Sequence, residues 1–259
     1  MKSVRYLQNG SNFLCFLKMA WMEAKLFLRE PANAFFTLIF PLLYLFLFGI
    51  ISGNEPSPQF GGQRTIDASI PGLIAVIICI TGLMSTTMTM STYREKGVLR
   101  RLRTTPVGPL VILTAQVLVI FFMTALGMLL LIAAGKLVYH VSFEGNLFSL
   151  LAGFVLCSLS FFGIGFILAS AMPSARSAWL VGMILLYPMM LLSGAFFTVE
   201  LLPSAAQKVS AFIPLTYVVN LLRGLWNGDP WGIHLLDVGV LVAMLLVGMI
   251  ISAKTFRWE

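Results

Sequence analysis

Charge-free apolar runs alternate with short polar links along this chain, and residues 68–93 and 104–135 are the clearest of them. A helix of roughly 20 apolar residues crosses the hydrocarbon core of a bilayer, so each run predicts a membrane span. The same pattern places spans at Ala32–Ile51, about Ser69–Thr92, Pro109–Ala134, Leu147–Met172, Ala178–Thr198 and Val238–Ala253. The last is short and takes its first turn from Leu235–Asp237. Pro41 in the first span, and Pro188 beside Tyr187 in the fifth, predict bends.

The links differ in kind. From Asn12 to Glu30, Lys18, Lys25 and Arg29 share one arc, opposite Phe13, Phe16, Leu17, Ala20, Trp21, Ala24, Phe27 and Leu28. That periodicity predicts a helix lying in the membrane interface, ended by Pro31. Its basic start and the late onset of the first apolar run do not fit a cleaved signal peptide. Ser52–Asp67 and Gly135–Asn146, the latter with His140, read as outside loops, and Pro173–Ser177 with Arg176 as a tight inside turn. In Val199–Asp237, Leu215, Val218, Val219, Leu222, Leu225 and Trp226 recur at helical spacing, while Asn220, Arg223 and Asn227 break the run before it could span. A helix dipping into the outer leaflet fits. Gly165 and Ala169, four apart in the fourth span, mark a face for close helix approach. The fold class is thus an all-α integral membrane protein: an interfacial helix within residues 1–31, six transmembrane helices over 32–253 with an external re-entrant helical segment at 199–237, and a tail at 254–259.

Charge supplies the orientation. Thirteen basic residues fall in the proposed inside segments and four outside, and the acidic residues divide four and six. Basic links stay cytoplasmic, which places both termini on the cytoplasmic side of the plasma membrane. The same distribution accounts for the net charge of +7 without nucleic acid. Composition agrees, with 59% hydrophobic residues, 10% charged and a mean hydropathy of +0.94. Cys15, Cys79 and Cys157 avoid the external loops, so no disulfide is expected.

Candidate chemistry is sparse. No GxxxxGK[ST] loop is present to cradle phosphates, and no HExxH or cysteine pair to hold a metal, so neither a catalytic nor a metal site is expected. Two features stand out. Thr81, Ser85, Thr89 and Thr92, with Met88 between them, form a hydroxyl stripe at regular helical spacing, suited either to helix packing or to an aqueous pathway. Residues 93–106 form an island of charge between the second and third spans, with Arg94, Lys96, Arg100, Arg101 and Arg103 against Glu95. Read as a helix, it places Val98, Leu99 and Leu102 on one face, and Pro106 stops it.

The island's REKGVLRRLRTTP resembles the first cytoplasmic loop of the type-2 ATP-binding-cassette (ABC-2) export permeases, the drug and polysaccharide export family. LREPANAFFTLIFPLLYLFLFG, LLSGAFFTVELLP and FIPLTYVVNLLRGLW are similar to further stretches of that family. The resemblance implies a coupling loop at Arg94, Glu95, Lys96, Gly97, Val98, Leu99, Arg100, Arg101, Leu102 and Arg103, seated in a separate ATPase subunit present in two copies. ATP and Mg would be bound there, with no cofactor on this chain. It also implies a second permease copy, as homodimer or heterodimer, and export of a hydrophobic or amphipathic compound such as a drug, antibiotic or lipid-linked molecule. The pathway is expected at Thr81, Ser85, Met88, Thr89, Tyr187 and Met190. Export of polysaccharide or teichoic-acid precursors is the related alternative, and a non-transporting sensor or accessory subunit the alternative of another class.

Overall fold

In the computed structural model of the chain, which describes residues 17–52, 64–98 and 109–255, six helices are long and apolar enough to cross a membrane. Helix α1 (17–29) precedes α2 (Pro31–Ile51), which Pro31 opens from the first helical turn, where its missing N–H costs nothing. Then come α3 (Thr65–Glu95), α4 (Pro109–Tyr139), α5 (Leu147–Ala171) and α6 (Ala175–Leu192). A short α7 (Ser204–Ser210) and α8 (Pro214–Asn227) meet at 87°, and α9 (Leu235–Thr255) is the sixth span.

Helix α3 is the axis of the bundle. Its apolar window is wholly buried, and α2, α4, α5, α6 and α8 all pack on it. Every other span keeps an apolar face outward, among them Leu43 and Leu47 of α2, Phe122 and Leu129 of α4 and Ile184 and Leu191 of α6. Outward leucines cost nothing in lipid, so these faces are the ones a bilayer would cover.

Two places of close approach hold the layers together. A Cβ on Gly165 of α5 would lie 2.1 Å from the Gly82 carbonyl oxygen of α3. Only glycine lets these backbones meet, and the Thr87 hydroxyl donates to the Gly165 carbonyl at 3.1 Å in the same contact. On the other side of α5, a Cβ on Gly248 of α9 would sit 2.8 Å from Gly163 Cα, and Ser160 donates across to the Leu241 carbonyl at 2.8 Å. The expected face at Gly165 is therefore used toward α3, and a second one, at Ser160 and Gly163, toward α9.

Several boundaries differ from the hydropathy reading. Helix α4 runs to Tyr139 rather than Ala134, because Lys136 sits in its last turn, where a cation meets the negative helix end. Helix α6 starts at Ala175, not Ala178, since Ser174 and Ser177 form a capping box. It also stops at Leu192 rather than Thr198: Gly194 adopts φ 83°, and the apolar Ala195 and Phe196 turn back into the core, with Phe196 4.5 Å from the Tyr44 ring. Helix α3 is longer at both ends than Ser69–Thr92. The disturbance expected at Pro41 appears as a π turn at Phe35–Ile39, where the Phe40 N–H bonds to the Phe35 carbonyl. Proline has no N–H to offer the Thr37 carbonyl four residues back, and that carbonyl instead faces Gly127 of α4.

In the segment expected to be re-entrant, the apolar positions of α8 are the buried ones: Leu215, Val218, Val219, Leu222, Leu225 and Trp226. Arg223 lies on the same helix and donates to the Gly194 carbonyl at 2.9 Å, tying α8 to the end of α6. Cys79 and Cys157 are free and buried, whereas Cys15, the loop at 53–63, residues 99–108 and the tail at 256–259 lie outside the described residues.

Candidate functional site

The polar groups of interest gather at one end of the bundle, where α3 finishes. Arg94 donates to the Ser170 carbonyl at the C-terminal end of α5, at 3.2 Å. The next residue, Glu95, accepts from the Ala175 N–H at the first turn of α6, at 2.9 Å. Each charge thus meets the helix end of opposite polarity. The start of the charged island is thereby tied to the α5–α6 turn before the chain leaves α3 through Gly97, whose φ of 64° suits glycine.

Beside this clamp, α1, α3 and α4 enclose a cleft of about 240 Å³. Its polar lining is Glu23, Glu30, Thr89, Thr92, Tyr93, Lys96 and Gln116, and its apolar walls include Leu26, Phe27, Val119 and Ile120. Tyr93 donates its hydroxyl to Glu23, and Asn33 donates to Glu30 at 2.5 Å. Burial pushes the Glu23 carboxyl above the usual carboxylate range; the Tyr93 hydrogen bond opposes this and nearby Glu30 adds to it. Glu30 is raised by burial as well, against the opposing charge of Lys96 and the Asn33 hydrogen bond. Gln116 is 1% exposed, and neither of its amide atoms has a hydrogen-bond partner among the described residues.

The expected site residues separate into groups. Arg94, Glu95, Lys96, Gly97 and Val98 are described, whereas Leu99, Arg100, Arg101, Leu102 and Arg103 lie outside the described residues. Thr81 and Ser85 are wholly buried within the bundle. A π turn at Thr81–Ser85 sets Thr86 rather than Ser85 over Thr81, and the Thr86 hydroxyl donates to the Thr81 carbonyl at 3.0 Å. The single hydroxyl face read from regular spacing is therefore split, because the extra residue in the π turn rotates everything after it. Thr81 bonds back to the carbonyls of Ile77 and Ile78, while Thr89 lines the cleft. Met88 is half-buried, Met190 buried, and Tyr187 points outward at 55% exposure. The six pathway residues thus do not line one space within a single copy.

Sequence reasoning passed over Glu23, Glu30 and Gln116. One signal existed: Glu23, Phe27 and Glu30 recur at helical spacing on an otherwise basic helix, and that arc is the one α1 turns inward, leaving Lys18, Lys25 and Arg29 exposed. Leu17, Trp21 and Leu28 of the expected apolar face stay exposed on the protein, as residues facing lipid would.

Five apolar spans around a sixth that is buried at the centre, with the charged residues of the spans at or near their ends, define a multi-span membrane protein. The chain belongs to the ABC-2 type transporter family, whose sequence model matches residues 15–226. It is 32% identical over 99 residues to Nodulation protein J of Rhizobium leguminosarum bv. viciae, covering 38% of each chain. It is 25% identical over 188 residues to the "Probable multidrug ABC transporter permease YbhS" of Escherichia coli (strain K12), covering 72% of this chain and 48% of that one. With the ycf38 chain of Porphyra purpurea, a transport permease by name, identity is 25% over 241 residues, 88% of this chain and 79% of that one. The chain spans less than half the length of the first two of these relatives.

Proposed function

We propose that the chain is the membrane-spanning permease subunit of an ATP-driven exporter, carrying a hydrophobic or amphipathic compound outward. The single observation behind this reading is the family match over residues 15–226. The multidrug name of one relative supports the cargo class. Energy comes from a separate ATP-binding-cassette ATPase subunit, which binds ATP and Mg; this chain itself catalyses nothing. Two ATPase copies sit beneath two permease copies in the plasma membrane, with both termini cytoplasmic. The island at residues 94–103 is the docking element.

The geometry around Arg94 and Glu95 supports a mechanical role for that element. A push on the island reaches α3 directly and, through the Ser170 and Ala175 contacts, the ends of α5 and α6 as well. Three spans would then tilt together, a rigid-body response of packed helices. The cargo route runs between the two copies, where the outward-facing Tyr187 contributes, while Thr81 and Ser85 serve packing inside each copy.

The test is the double variant Leu99→Ala with Leu102→Ala. Truncating a leucine at an interface hot spot costs on the order of 2 kcal/mol, so the ATPase should be lost on co-purification, or hydrolysis should proceed without export. All basic residues that set orientation are kept. Wild-type co-purification together with wild-type export overturns the docking assignment.

A further inference from the structure

We propose that the cleft between α1, α3 and α4 binds the head of a cationic amphiphile, a primary or tertiary ammonium carried on an apolar body. This goes beyond the exporter reading and does not depend on it.

The argument begins with Gln116. A buried amide whose donor and acceptor both lack partners is destabilising, and buried polar groups in folded proteins are nearly always satisfied. Gln116 is such a group, it lines the cleft, and it retains both its donor and its acceptor for an occupant. Charge then selects the kind of occupant. Glu23 and Glu30 bring two carboxylates to the lining against the single Lys96. The tyrosine and asparagine contacts occupy only part of their capacity, since an ionised carboxylate offers about four acceptor positions. An anion would meet like charges here, whereas an ammonium adds charge-assisted hydrogen bonds.

Size and position complete the description. A cleft of about 240 Å³ falls below the range of roughly 300–1,000 Å³ typical of sites for whole drug-sized molecules. It holds a head group and leaves the remainder outside. Two lining residues are exposed, Lys96 and Leu26, the latter at 45% on a helix whose Trp21 and Leu28 are also exposed. An apolar body leaving the cleft at Leu26 enters the layer in which an interfacial helix lies. Phe27, Val119 and Ile120 cover the carbon atoms next to the ammonium.

The experiment uses the full chain in nanodiscs of phosphatidylcholine, with a diazirine-bearing dodecylamine as probe and the matching dodecanol as neutral control. After photolysis, labelled positions are mapped by mass spectrometry. The amine should label the α1 and α4 segments that line the cleft, about tenfold more than the alcohol, as expected for gaining a hydrogen bond to a charged group. Glu23→Gln should reduce amine labelling about tenfold while still accepting the Tyr93 hydrogen bond. Gln116→Leu keeps the side-chain volume, removes the unpaired amide and should also reduce labelling; size-exclusion profiles report whether both variants fold. Discs containing excess phosphatidylethanolamine distinguish the sources: competition assigns the site to an aminoalkyl lipid head, and absence of competition to a free amphiphilic amine. Equal labelling by amine and alcohol, or amine labelling unchanged in both variants, means that the cleft holds water only and overturns the proposal.

Discussion

The Glu95 carboxylate accepts a hydrogen bond from the backbone N–H of Ala175, 80 residues later in the chain, at 2.9 Å. Together with Arg94 on the Ser170 carbonyl, it makes the end of α3 a clamp on the α5–α6 turn. Capping and dipole contributions of this kind are worth about 1 kcal/mol each. Glu95→Ala should therefore lower the midpoint of thermal unfolding in detergent slightly, and Glu95→Lys more, because it sets a cation at the positive end of α6. If both variants melt with the wild type, the contact carries no stability.

The packing at Gly165 predicts a sharp contrast between glycines. Gly165→Val places side-chain atoms where the Gly82 carbonyl already lies, and neither backbone can retreat without opening the α3–α5 contact. A cost of about 3 kcal/mol or more is expected, seen as loss of the monodisperse size-exclusion peak. Gly239→Ala is the control: a Cβ there meets nothing within 4 Å, and alanine favours the helix. Equal behaviour of the two variants would refute the close approach.

Glu23 predicts a pH dependence. Its pKa is raised by burial above the ordinary value of 4.5, so the folded state holds the proton more tightly than the unfolded state. Its ionisation penalty is absent below the unfolded value, grows as pH rises through the folded value, and stays at higher pH. Glu23→Gln should therefore gain stability relative to wild type as pH rises from about 4.5 toward neutrality. Paired thermal melts across that range check the difference; a constant gap between the two proteins contradicts it. Tyr93, Glu30 and Lys96 face the same cleft and remain unchanged in both.

Orientation is testable by single cysteines in a background lacking the native three. Ser204→Cys at the start of α7 should react with an impermeant thiol reagent from outside, and Ser174→Cys or Gly97→Cys only after the inner face is opened. Labelling of Gly97→Cys from outside would reverse the assigned topology and with it the docking role of the island.

The spans were legible in the sequence because hydropathy is a property of each segment alone. A run of apolar residues without charge must be helical in lipid whatever its neighbours do. For the same reason the inward face of α8, from Leu215 to Trp226, followed from spacing. The boundaries were less legible where apolar sequence serves a loop: Ala195 and Phe196 read as the end of a span but return to the core beyond Gly194.

The sequence by itself determined the class of protein, the six apolar spans and the buried face of α8, since these depend on composition and period within one stretch. Tertiary structure alone decided the rest. It split the hydroxyl stripe, because the π turn at Thr81–Ser85 lies where α5 crosses at Gly82, and that crossing joins residues far apart in the chain. It also brought Glu23 to Tyr93 across 70 positions, beside the unpaired amide of Gln116. Helical periodicity says which residues share a face of one helix; which faces meet is settled by packing among several, and a cleft exists only between them.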